Sequence, residues 1–208
     1  MLRRTLLQKI CGLTVFGLLA TSAALPAQAA VSPDAAKQLI SGMASEAIST
    51  LAAPDRTDSQ IRETFSGILQ TNFDFDGIAR FVLGRYGRTA TPEQQAEYQT
   101  LFAKYIVGIY ANRFKQYAGE TVDVTGAKQD GENAIVSTRI NLINNPQPIA
   151  VDWKVTTGAD GKPRVADVII ENVSMSITQR SEFASIIQNG GGKVDALLAQ
   201  LRTKTASR

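Results

Sequence analysis

Apolar residues recur along the chain with two periods, and the switch between them divides it. Early on, Ala35, Ala36, Leu39, Ile40, Met43, Ala47, Ile48 and Leu51 follow helical spacing, with Ser32 placed to cap and Pro33 suited to the first helical position. Pro54 ends that run. Asp58 can cap a second helix, with Ile61, Phe65, Ile68 and Leu69 on its buried stripe. Residues 72–88, NFDFDGIARFVLGRYGR, are too apolar for a linker and too rich in charge and glycine for a plain core helix. They predict a short helix that starts near Asp74 or Asp76 and ends near Gly84 or Gly87. Its Phe73, Phe75, Phe81, Val82 and Leu83 are expected to pack beneath the helix that follows.

That next helix has the sharpest start in the chain. Thr91-Pro92-Glu93-Gln94 places a capping threonine, a proline at the first position and a glutamine at the third, a capping-box pattern. The apolar positions after it, Tyr98, Leu101, Phe102, Tyr105, Ile106, Ile109, Tyr110, Phe114 and Tyr117, cover more than one stripe, so the helix is expected to touch both a sheet and other helices. Gly119 is the expected end.

From there the period is two. Residues 121–127, 134–143, 149–156 and 164–173 read as strands, separated by Asp130-Gly131, Asn144-Asn145-Pro146 and the turn at 158–161. Ile149, Val151, Trp153 and Val155 alternate with Ala150, Asp152 and Lys154, so one face of this sheet is covered and the other wet. Two closing helices are expected over 178–188 and 193–202, joined by Gly190-Gly191-Gly192 and docked by Val194, Leu197, Leu198 and Leu201. The fold class that follows is α+β, with helices packed on one face of a four-stranded antiparallel sheet.

The first 29 residues are a different material. Arg3, Arg4 and Lys9 precede an uncharged apolar run that ends at Pro26-Ala27-Gln28-Ala29. This is a secretory signal peptide with cleavage expected after Ala29; the run of about 15 residues is shorter than the roughly 20 that a membrane span needs. The chain thus divides into a leader, 1–29, and one domain, 30–208. Arg3-Arg4 leaves both the general secretory and the twin-arginine export routes open. With the leader gone, the 22 basic residues fall to 19 against 19 acidic ones, so no net positive field remains to recruit nucleic acid. Cys11, the one cysteine, leaves with the leader, and the domain must fold without a disulfide.

The chain has no histidine. That removes Ser-His-Asp and Cys-His nucleophilic sites and every imidazole or thiolate metal site. Asp74 and Asp76 beside a helix start read as a cap and a dipole partner rather than an acid-base pair. The glycine run follows a helix, not a strand, so it is no phosphate loop. The expectation is a protein that is not an enzyme, with no catalytic residues, no metal and no cofactor. Arg80 and Arg85, with Arg88, could hold an anionic group or pair with Asp74, Asp76 or Glu93.

Two blocks carry a resemblance. The first joins the acidic-aromatic start to Ala79-Arg80, Val82-Leu83-Gly84-Arg85-Tyr86 and Ala90-Thr91-Pro92-Glu93-Gln94 before a long aromatic helix. The second is NVSMSITQRSEF at 172–183, then the glycine run and VDALLAQL at 194–201. Together they resemble the MlaC family of periplasmic phospholipid carriers, also called the toluene-tolerance family. The resemblance implies a periplasmic carrier whose helices and sheet enclose an apolar pocket for the acyl chains of a glycerophospholipid. It would shuttle lipid between an outer-membrane lipoprotein complex and an inner-membrane ABC-type lipid transporter complex, docking on each transiently and maintaining outer-membrane lipid asymmetry. A hopanoid-associated branch of the family is similar in VLGRY and SITQRSEFASIIQ, so a hopanoid is the alternative cargo, and a non-lipid envelope adaptor the alternative role.

A container makes physical sense: two acyl chains of about 16 carbons expose roughly 30 methylenes, and at ~0.8 kcal/mol each their transfer through water costs near 25 kcal/mol. Tyr105 and Ile109 on the long helix and Val136, Ile140, Val151, Trp153 and Ile169 on the sheet are the expected lipid-binding residues. Arg80 and Arg85 are the expected head-group or partner contacts.

Overall fold

The computed structural model describes residues 30–52, 57–114, 120–143 and 145–206. The leader, Pro54, Asn144 and the expected helix end at Gly119 lie outside the described residues. Four helices come first: α1 (Pro33–Ala52), α2 (Asp58–Asn72), α3 (Phe75–Leu83) and, after a 3-10 turn over Gly84–Arg88, α4 (Pro92–Phe114). Five strands follow, β1 (Thr121–Asp130), β2 (Asn133–Leu142), β3 (Asn145–Thr157), β4 (Pro163–Ile170) and β5 (Val173–Ser174), then α5 (Met175–Asn189) and α6 (Val194–Ala206). The sheet is a fully antiparallel meander in the order β1-β2-β3-β4-β5. The α+β reading holds, with five strands where the sequence predicts four.

Local chemistry sets most boundaries. At the start of α4 the Gln94 amide donates to the Thr91 hydroxyl and the Thr91 amide to the Gln94 side-chain oxygen, the reciprocal capping box. Thr57 and Gln60 make the same arrangement for α2, so Thr57 rather than Asp58 is its cap. Asp74 caps α3 through the Gly77 amide. At the other end of the chain Gly190 closes α5, where a Cβ would come within 2.2 Å of the Ala196 Cβ. Glycine there lets α6 fold back tightly on α5.

Two differences from the sequence reading share one cause. The strand expected over 164–173 stops at Ile170, because Glu171 and Asn172 both adopt positive φ, +48° and +65°, and turn the chain into β5. A two-residue turn of that kind usually needs glycine. Here the Glu171 carboxylate accepts from the Ala150 amide at 2.7 Å while the Glu171 amide donates back to the Ala150 carbonyl at 3.0 Å, which offsets the strain. Ser174 then caps α5, which begins at Met175, three residues ahead of the expected start.

Buried residues form two clusters rather than one. The first joins α3, α4, α5 and α6 through Val82, Tyr98, Phe102, Phe183, Leu197 and Leu201. The second joins α1 and α2 to the sheet through Ala36, Ile40, Ile68, Ala134, Val136, Val155 and Val165. Phe81, expected under α4, is instead 42% exposed beneath the Arg180 guanidinium. The helical period explains it, since Ile78, Ala79, Val82 and Leu83 occupy the inward face of α3.

Tyr98 is nearly sealed in the first cluster, and its hydroxyl donates to the Ala79 carbonyl at 3.1 Å. Burial pushes its phenol well above the usual range. Tyr98→Phe should cost about 1 kcal/mol in denaturant unfolding. Above about pH 10 the phenol ionises in the unfolded chain but not in the folded one, so Tyr98 should draw stability down as pH rises, and the Phe variant should lose that part of the slope.

Candidate functional site

Between the two clusters lies a cavity of about 300 Å³. The sheet supplies one wall. Direct cross-strand partners share a face, so the pairs Val136–Trp153, Thr138–Val151, Val151–Ile170 and Trp153–Val168 put all these residues on the helix-facing side. Ile140, Val151, Trp153, Val168 and Ile170 reach the cavity. The helices supply the opposite wall with Phe65 and Leu69 of α2, Phe75, Ile78 and Val82 of α3, and Phe102, Ile106 and Tyr110 of α4. Leu69 and Val151 are buried yet belong to neither cluster, as expected for side chains that meet across a gap.

The wall is held in place by its own polar groups. The Trp153 indole N–H donates to the Thr138 hydroxyl at 2.9 Å, and that hydroxyl donates to the Val151 carbonyl at 3.0 Å. The indole face is thus fixed toward the cavity with its one polar atom satisfied. Phe75 sets its ring edge-on to Phe102, with centroids 6.1 Å apart. Among the described residues no buried side-chain nitrogen or oxygen lacks a partner, so nothing in this wall calls for water.

One end is polar. Asp167, at the rim, accepts from the Ser174 hydroxyl at 2.5 Å, the Ser176 amide at 3.0 Å and the Val168 amide at 2.9 Å, tying β4 to the first turn of α5. Asp167→Ala removes all three and should destabilise the domain by about 2–3 kcal/mol in urea unfolding.

A bulge decides which residues of β4 face the cavity. Val155 pairs with Val165 and Lys154 with Asp167, so Ala166 is an extra residue that flips the alternation. Val168 and Ile170 therefore face the helices, and Ile169 lies opposite Asp152 on the other side. Of the residues singled out from the sequence, Ile140, Val151 and Trp153 stand together in the cavity wall. Val136 is fully buried in the sheet cluster beside it. Tyr105 packs on Phe183 at 5.8 Å, and Ile109 lies against the same cluster, one stripe round α4 from Phe102 and Ile106. Because α4 is apolar on more than one side, its sequence could not show which stripe meets the gap.

Arg80 and Arg85 point elsewhere. Arg85 donates to the Tyr86 hydroxyl at 3.0 Å and lies over its ring, and this bond lowers the Tyr86 phenol from its ordinary range. Arg80 lines a second, smaller pocket.

The chain is similar to known proteins along most of its length. The family described as MlaC protein matches residues 41–203. Toluene tolerance protein ttg2D of Pseudomonas putida is 28% identical over 135 residues, 64% of this chain and 62% of that protein. The intermembrane phospholipid transport system binding protein MlaC of Haemophilus influenzae is 26% identical over 124 residues, 58% of this chain and 57% of that protein. The chain thus spans about three fifths of the curated relatives it matches. In fold it is similar to the phospholipid-binding protein from Ralstonia solanacearum, whose structure was solved in complex with a phospholipid. The TM-score is 0.73 at 23% identity, covering 83% of this chain and 97% of that one.

Proposed function

The chain belongs to the MlaC family, and we propose that it is a carrier that holds the acyl chains of a glycerophospholipid in the cavity between its two core clusters. The observation that carries this reading is the cavity itself: a gap lined by aromatic and branched aliphatic side chains, with its polar atoms bonded internally, where a folded domain of this size ordinarily packs solid. Ile140, Val151 and Trp153 on the sheet, facing Ile78 and Ile106, are the proposed acyl-chain contacts. The names of its relatives support a phospholipid as cargo.

The working cycle we propose follows from the cost of moving acyl chains through water. The protein is exported to the periplasm, receives lipid at one membrane and releases it at the other, docking on an outer-membrane lipoprotein complex and an inner-membrane ABC-type lipid transporter. The chemistry is containment rather than bond-making, which suits a chain without histidine.

The test is to express the full chain with its leader, purify it without detergent, extract with organic solvent and analyse by mass spectrometry. Diacyl lipid near one molecule per protein is the expected result. A triterpenoid would move the cargo to hopanoids, and protein free of any lipid would overturn the carrier in favour of an adaptor.

A further inference from the structure

The second pocket, about 220 Å³, lies between α3, the 3-10 turn and the first turns of α4. Leu83 and Tyr98, both buried, form its floor, and Arg80, Gly84, Gly87 and Arg88 stand around it. It is separate from the apolar cavity. Arg80 is two residues from both Ile78 and Val82, which at about 100° per residue puts it on the far side of α3 from the cavity wall.

Its walls are fixed. The Gln95 side-chain amide donates to the Gly87 carbonyl at 2.8 Å and the Ala90 carbonyl at 3.3 Å, which holds the 3-10 turn against α4. The Tyr98 hydroxyl ties the floor to α3. Gly84 has φ +57°, a backbone turn that glycine allows, and a Cβ there would come within 2.9 Å of the Arg180 Nε. Arg180 is held in that position over the Phe81 ring at 5.0 Å.

The charges are uncompensated. Among the described residues, none of Arg80, Arg88 and Arg180 has a carboxylate oxygen within 4 Å, not even Asp76 one turn before Arg80 on α3. Arg80 and Arg88 line this pre-formed concavity without an ion-pair partner, and a guanidinium offers paired N–H donors that match the oxygens of a phosphate. We propose that this pocket binds a phosphate group, independently of the lipid cavity. The group belongs either to a small soluble phosphate or to a phospholipid head group at a membrane surface.

Inorganic phosphate is the probe. The full chain, expressed with its leader and labelled with ¹⁵N, is titrated with sodium phosphate at constant ionic strength against chloride. Saturable shifts of the Gly84 and Gly87 amide resonances are expected. Arg80→Gln and Arg88→Gln, both at exposed positions, should each raise the midpoint about tenfold. The same shifts should persist in Ile140→Trp, which fills the apolar cavity instead. Flotation with phosphatidylcholine vesicles, with and without phosphatidylglycerol, separates the sources. Binding to the anionic vesicles that the arginine variants lose assigns a head group, and phosphate shifts without flotation assign a soluble phosphate. Shifts that rise linearly without saturating, midpoints unchanged in both arginine variants, or a response abolished by Ile140→Trp would each overturn the proposal.

Discussion

Ile140→Trp is expected to empty the protein of most of its lipid while leaving it folded. Ile140 faces the cavity from β2 and is only partly buried, so the larger indole can swing into the gap rather than into packed neighbours. Displacing just two methylenes of a bound chain costs about 1.6 kcal/mol at ~0.8 each, already more than tenfold in affinity at about 1.4 kcal/mol per decade. Affinity, measured by titrating delipidated protein with phospholipid, should fall by at least that factor, and co-purifying lipid, counted by mass spectrometry against protein, should fall with it. The overpacking itself should cost no more than about 1–3 kcal/mol, measurable by thermal unfolding of lipid-free protein. Ile140→Ala, which enlarges the cavity, should keep its lipid. A tryptophan variant with full lipid content and an unchanged unfolding midpoint would remove Ile140 from the cavity wall.

The largest loss of stability is expected at Phe183. It is 1% exposed, and its ring meets Tyr98, Phe102 and Tyr105 at centroid distances of 6.2, 6.3 and 5.8 Å, which makes it the point where α5 locks onto α4. Phe183→Ala should cost about 3–5 kcal/mol, since these neighbours are all carried by α4 and cannot collapse into the void unless that helix moves. At about 2–4 °C per kcal/mol for a domain of this size, the midpoint should drop by roughly 6–20 °C. The comparison belongs on delipidated protein, because ligand binding adds its own stabilisation to the folded state. A drop below a few degrees would mean that α5 is not held by this aromatic cluster.

These two residues differ in how far the sequence revealed them. Ile140 sits in a strand that alternates cleanly, so its face could be assigned from period alone. Phe183 lies in a helix whose apolar residues are few and unevenly spaced, and only the rings around it show its weight. Tyr105 and Ile109 mark the boundary between these cases. Both are apolar positions on α4, yet the stripe that reaches the cavity is Phe102, Ile106 and Tyr110, because the helix buries one side in the first cluster and turns another toward the gap. On β4, alternation counted from Val165 leads to Ile169, and the extra residue at Ala166 moves the cavity-facing positions to Val168 and Ile170. Nothing local marks that bulge, since no glycine or proline interrupts residues 164–170.

What the sequence determined by itself is whatever depends on a few neighbouring residues. It placed the Thr91 cap, the short helix starting near Asp74 or Asp76, the switch from helical to twofold period, and the alternation of β2 and β3, because caps, periods and turns follow from local sterics and hydrogen bonding. Tertiary structure alone decided where the two core clusters fail to meet, which stripe of α4 faces that gap, the turn at Glu171 and Asn172, and the placing of Arg80 and Arg88 around a second pocket. A cavity is a property of surfaces that do not touch, and one-dimensional periodicity reports only which side of each element is apolar.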